Sequence, residues 1–246
     1  MTARYLRQIR ITGTPIDYTE HLPAIRFLQA KGFLDFSSPV TFFAGENGTG
    51  KSTLLEAIAV INGFNAEGGS RNYRFATEQT HSALWQVLQP IREQIATDGY
   101  FLRAESFYNA ASYLAELDRI PAASRKLTES YGGKSLHEQS HGESFLAYFQ
   151  SFDQQGLYIM DEPEAALSPQ RQLTLFIQIS KMAAAGSQFI IATHSPILLG
   201  IPDAEILSFD DGTVTACEYE ETESYQVMEM FINNRERLIR GLLNED

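Results

Sequence analysis

Residues 45–53 read GENGTGKST, and no other stretch constrains the chain so tightly. Gly45, Gly50, Lys51 and Ser52 fill the pattern G-x-x-x-x-G-K-[ST]. Gly45, Gly48 and Gly50 let the backbone curl until its N–H groups converge on an anion. Lys51 can then reach the β- and γ-phosphates of a nucleoside triphosphate, and the Ser52 hydroxyl can join a Mg²⁺ shell. Glu46, Asn47, Thr49 and Thr53 complete the candidate nucleotide-binding loop. The context fits. VTFFA at 40–44 reads as a buried strand, and STLLEAIAVI at 52–61 has helical spacing. Strand, glycine loop and helix together set a helix N-terminus under the phosphates. A glycine-rich turn that binds nothing would leave Lys51 and Ser52 as coincidences.

Two further strands carry chemistry. LYIMDEPEAALS at 157–168 runs four apolar residues into Asp161, Glu162 and Pro163. A buried strand ending in adjacent carboxylates suits metal and water: Asp161 would act on Mg²⁺, and Glu162 would orient or deprotonate the attacking water. The bland alternative is an acidic cluster facing a helix dipole. QFIIA at 188–192 is another buried strand, and it ends in Thr193-His194-Ser195-Pro196. A lone histidine is usually structural. His194 differs because it follows a strand at the sheet edge where ligands collect. QSHGES at 139–144 precedes an apolar stretch, and its Ser140 and Gly142 read as a helix N-terminus with open backbone donors.

The rest reads as framework. Residues 5–11 alternate as a strand, 24–30 form a short helix before Gly32, and 82–95 have helical spacing with Trp85 in the core. Residues 63–77 form a polar glycine-rich loop. Its Arg71, Tyr73 and Arg74 either approach the nucleotide or face solvent. Residues 99–104 look like a strand, 107–117 and 169–185 like helices, and 118–134 like a connector. Two strands at 205–209 and 213–217 are joined by Asp210-Asp211-Gly212 as a hairpin. An amphipathic helix over 222–243 either packs on the domain, the first expectation, or serves as an interaction helix.

The 246 residues, 43% hydrophobic, suit one α/β domain or one with a subdomain. No stretch approaches the ~20 apolar residues of a membrane span, and the N-terminus lacks the apolar region of a signal peptide. Cys217 is the only cysteine, so no intrachain disulfide forms, which fits a reducing cytosol. A net charge of −12 argues against non-specific nucleic-acid binding by the whole surface, while leaving room for a local basic patch or for DNA contact through a partner.

As an ordered set, these motifs resemble the ABC-type ATPases, in the branch of AAA-family predicted ATPases shared with SMC-like and bacterial defence proteins. GENGTGKST matches that family's Walker A, and LYIMDEPEAALS its Walker B with Glu162 as catalytic glutamate. Residues 165–169 fall on the D-loop, and IATHSP matches the switch segment, with His194 sensing the γ-phosphate. QSHGES falls where the signature lies but departs from L-S-G-G-Q. His141 replaces the first glycine of the pair and Glu143 the glutamine, while Ser140 and Gly142 match. The Q-loop glutamine is replaced too: its position falls on Glu105, whose carboxylate either binds Mg²⁺ or its water, or is structural.

The resemblance implies a P-loop NTPase fold over a single domain, 1–246. It has a core sheet, an N-terminal antiparallel β layer, and a helical lobe at about 64–152 between Walker A and Walker B. It also implies a cytoplasmic ATPase using ATP and Mg²⁺, with the signature closing the site in trans in an ATP-dependent homodimer. The expected function is a dimerisation switch driving an effector protein in DNA processing or defence, with indirect DNA association. The alternative is the nucleotide-binding subunit of a membrane ABC transporter. A third reading, a nucleotide-gated switch with little turnover, has no need of Glu162.

Overall fold

Two sheets organise the residues that the computed structural model describes, which are 4–15, 17–70, 82–103, 146, 149, 155–165 and 167–243. In the larger sheet, β3 (Val40–Ala44), β6 (Gly99–Arg103), β7 (Leu157–Asp161), β8 (Gln188–Ala192) and β9 (Glu205–Ser208) run parallel. Two short antiparallel strands, β4 (Gly69–Ser70) and β10 (Thr215–Cys217), close its edges, giving the order β10-β9-β3-β8-β7-β6-β4. The smaller sheet is antiparallel, with β1 (Leu6–Ile11) between β2 (Phe33–Asp35) and β5 (Leu88–Arg92). This is the expected α/β core with an N-terminal antiparallel layer.

The central strands are apolar on both faces because both faces are covered. Phe43, Phe101, Ile159, Ile190 and Leu207 point into one core, shared with α1 (Pro23–Lys31), α2 (Lys51–Ile61) and the smaller sheet. Phe42, Tyr100, Tyr158, Met160, Phe189 and Ile191 point into the other. There α3 (Pro169–Ala184) contributes Leu175, Ile179 and Met182, and α4 (Pro196–Leu199) contributes Leu198 and Leu199. Burying each such side chain is worth roughly 1.5–3 kcal/mol. The two sheets are also tied by a buried amide. Gln188 Oε1 accepts from the Leu6 N–H at 2.8 Å, and its Nε2 donates to the Leu6 carbonyl at 2.7 Å.

Three expectations are corrected. The helical spacing over 82–95 does not produce an α-helix: residues 83–87 form a 3-10 turn and 88–92 are β5. Pro90 explains this, since a proline inside a helix removes a hydrogen bond and clashes with the preceding turn. It is tolerated here on an edge strand. Trp85 is not core: it lies at the surface while Leu84 is buried beside it. The amphipathic C-terminal helix forms as α5 (Glu223–Leu243), with a break at Asn234, but none of its residues is buried. At its N-terminal end the Tyr219 hydroxyl donates to the Pro196 carbonyl at 2.9 Å and Tyr219 meets Tyr225 edge-on.

β4, β5 and β6 also fall within the 64–152 stretch expected to hold a helical lobe. Beyond Arg103 the described part of that stretch is Leu146 and Phe149, both helical and buried in the second core. Arg71, Tyr73 and Arg74, the 107–117 helix and the 118–134 connector lie outside the described residues.

Candidate nucleotide-binding and hydrolysis site

The described candidate residues lie at the carboxyl ends of parallel strands or in the loop and helix start that follow β3. In register, Phe43 of β3 pairs with Ala192 of β8, and Ala192 pairs with Asp161 of β7. The loop after β3, the Asp-Glu pair and the His194 segment therefore emerge side by side, at the edge where open α/β sheets bind ligands.

The glycine loop is held in a cradle. Gly45, Gly48 and Gly50 have φ of 122°, 83° and 103°, a region that strains side-chain-bearing residues. A Cβ on Gly45 would meet Asp210 Oδ1 at 2.6 Å. The α1 N-terminus packs on the loop, with the Ala24 N–H donating to the Thr49 carbonyl at 3.2 Å. α2 opens at Lys51, so its first N–H groups, which have no acceptor within the helix, face the loop's concavity.

Lys51 is buried. Its ammonium donates to the Gly45 carbonyl at 2.6 Å and the Glu46 carbonyl at 2.5 Å. An ammonium has three donors, so one is left for a phosphate. Burial pulls its pKa below the usual lysine value, while Asp210, Glu162, Asp161 and Glu46 hold it up. The Ser52 hydroxyl donates to Asp161 Oδ1 at 2.9 Å. A hydroxyl and a carboxylate in contact beside a phosphate cradle form an oxygen set that suits Mg²⁺, which keeps several waters and takes few protein ligands. Among the described residues no group of three or more His, Cys, Asp or Glu could hold a metal by itself.

Glu162 occupies a strained position, φ 49°, with its N–H donating to the Ala192 carbonyl at 2.9 Å. Such strain is held only where the surroundings over-determine it. His194 Nε2 stands 3.8 Å from Glu162 Oε1, too far for a hydrogen bond. The ring is 38% exposed, yet Nε2 itself is buried and, among the described residues, has no hydrogen-bond partner. A buried polar atom left open beside a carboxylate calls for an explanation, and a ligand position next to it is one.

Three residues of this site were not singled out by sequence reasoning. Glu164 Oε1 accepts from the Thr193 hydroxyl at 2.6 Å and from the His194 N–H at 2.8 Å. It thereby fastens the His194 segment to the Glu162 segment. Gln172 of α3 makes a second tie: its Nε2 donates to the Leu167 carbonyl at 3.1 Å, and its Oε1 accepts from the Ser195 hydroxyl at 2.6 Å. Asp210 braces the glycine loop. Its Oδ1 accepts from the Glu46 N–H at 2.9 Å, and its Oδ2 from the Ser208 hydroxyl at 2.7 Å. The signals were the second glutamate of DEPE and the first aspartate of DDG, each legible only as part of its motif. Ser140, His141, Gly142 and Glu143 lie outside the described residues, as does Glu105. β6, which leads to Glu105, ends at Arg103 opposite Asp161, at the same sheet edge.

A strand-loop-helix loop of the phosphate-binding type, an Asp-Glu pair and a histidine on adjoining strands are the parts of an ABC-type P-loop ATPase, and the comparisons support that class. Two AAA models match it in succession. One, described as AAA domain, covers residues 24–137; the other, described as AAA domain, putative AbiEii toxin, Type IV TA system, covers 144–200. Among curated proteins it is 27% identical over 196 residues to a putative ribose/galactose/methyl galactoside import ATP-binding protein of Rhizobium etli. That alignment covers 72% of this chain and 37% of the relative. It is 25% identical over 217 residues to the ribose import ATP-binding protein RbsA of Bacillus cereus, covering 81% of this chain and 44% of the relative. The chain thus spans about two fifths of the length of these relatives. A solved ATP-binding cassette of an ABC transporter in its ADP conformation shares the fold. Its TM-score is 0.52 at 18% identity, over 95% of this chain and 100% of that one.

Proposed function

We propose that the chain hydrolyses Mg·ATP, with the phosphates in the 45–53 loop, Ser52 and Asp161 toward Mg²⁺, Glu162 as general base and His194 on the γ-phosphate. The observation that carries this is the open, buried His194 Nε2 facing Glu162 beside the Lys51 cradle. Bound Mg²⁺ would neutralise charge on the β- and γ-oxygens. Around it, Lys51 holds the same oxygens, Glu162 accepts the proton of the attacking water, and His194 donates toward the transferring group. These groups come from one side of the nucleotide. The other side is left for the Ser140–Glu143 segment of a second copy, making hydrolysis a property of an ATP-bound dimer. Glu105 is assigned to the Mg²⁺ water shell or to structure.

For the partner, the names of the curated relatives favour the alternative over the effector reading. We therefore place the chain first as the nucleotide-binding subunit of an import system, on the cytoplasmic side. The second reading, a cytoplasmic ATPase driving a defence or DNA-processing effector, is favoured by the description of the model over 144–200. Co-purification from detergent-solubilised cells decides between them: a polytopic membrane protein is expected, and a non-membrane effector reverses the order. The catalytic assignment is tested separately by calorimetry on Lys51→Ala. The loss of the cradle's buried cation is expected to abolish measurable ATP binding, and unchanged affinity would sink the assignment.

A further inference from the structure

The feature this site does not use is α5. It runs over 21 residues with a break at Asn234, between its acidic first half and its basic last turns, and buries no residue. Val227, Met228, Met230, Phe231 and Ile232 are all exposed, Ile232 at 68%, and Leu242 and Leu243 reach 66% and 79%. One flank of the helix walls an apolar groove with the α3–α4 surface, where Met228 and Ile232 face Leu173, Phe176 and Ile197. Apolar surface on this scale marks an interaction site rather than ordinary exposure.

Charge identifies the occupant. From 218 to 229 the chain carries Glu218, Glu220, Glu221, Glu223 and Glu229 and no Lys or Arg; from 235 to 240 it carries Arg235, Arg237 and Arg240 with Glu236. Among the described residues none of these arginines, nor Glu223 or Glu229, forms an ion pair within the chain. A helix acidic at one end and basic at the other is complementary to its own antiparallel copy. An antiparallel register with Ile232 on the twofold axis sets Arg235 against Glu229 and Tyr225 against Ile239, and brings Arg240 within one position of Glu223. Such an isologous contact closes on itself. We infer that α5 pairs antiparallel with α5 of a second copy, and that this contact joins two chains without nucleotide. Two ATP sites tethered this way meet at an effective concentration set by the tether rather than by the bulk protein.

The test is the mass of the nucleotide-free protein, in EDTA, by size-exclusion light scattering. Wild type is expected to run as a dimer, Arg235→Glu/Arg240→Glu as a monomer, and the swap that adds Glu223→Arg/Glu229→Arg as a dimer again. The restored dimer shows that the reversed protein still folds. With Cys217→Ser, a cysteine placed by Ile232→Cys is expected to form a disulfide between copies. A nucleotide-free wild-type monomer overturns the inference, whatever else α5 then binds. So does a dimer indifferent to charge reversal, a swap that fails to restore it, or an Ile232→Cys protein that does not cross-link.

Discussion

Glu164 shows how much one side chain can hold in place without being one of the groups proposed to react. Its Oε1 takes both the Thr193 hydroxyl and the His194 N–H, while Oε2 is buried and, among the described residues, has no hydrogen-bond partner. Truncation by Glu164→Ala leaves two buried donors unpaired, each costing about 1–3 kcal/mol, and frees the His194 segment to drift from Glu162. We expect turnover to fall about 10–100-fold, as small misplacements of catalytic groups do, with ATP affinity nearly unchanged because the Lys51 cradle is untouched. Glu164→Gln keeps an acceptor in place and should recover most of the rate. Equal loss of affinity and turnover, by calorimetry and phosphate release, would mean the residue is only structural. The sequence displayed the residues proposed to react because that chemistry would dictate their types and spacing. Glu164, Gln172 and Asp210 stayed hidden because their work depends on which distant backbone they reach.

Among the elements, the glycine loop depends on a neighbour that its own sequence cannot reveal. β9 pairs with β3 so that Ala44 meets Ser208, and the turn after it delivers Asp210 to the Glu46 N–H. Gly45→Ala would set a Cβ against both Asp210 Oδ1 and the Phe209 nitrogen, on a backbone at φ 122°. Strain of about 1–3 kcal/mol is expected from the backbone alone. The melting temperature should therefore drop by several degrees, and ATP binding should weaken with it. A variant that melts and binds as wild type would show that the loop does not need this packing. The strands that flank the site were legible from short apolar runs ending in polar chemistry: VTFFA before the loop, LYIM before Asp161 and QFIIA before Thr193. The 88–92 strand was not, because its apolar spacing also fits a helix and only Pro90 argued otherwise. α5 was legible as a helix, but periodicity reports an apolar face without saying whether its own domain covers it.

At the scale of the whole molecule, the parallel sheet aligns three strand ends so that the glycine loop, the Asp-Glu pair and the His194 segment share one edge. The two cores fix that edge from both faces, and the amide of Gln188 locks the antiparallel layer to it. The central claim is that this edge hydrolyses ATP with Glu162 as base, so the most direct measurement compares ATP binding and turnover in wild type and Glu162→Gln. The amide keeps the shape of the side chain but cannot take the proton of water. The account predicts unchanged ATP affinity, turnover lower by about 10²–10⁴-fold, and an ATP-bound dimer that persists because hydrolysis no longer releases it. Undiminished turnover in Glu162→Gln would contradict it.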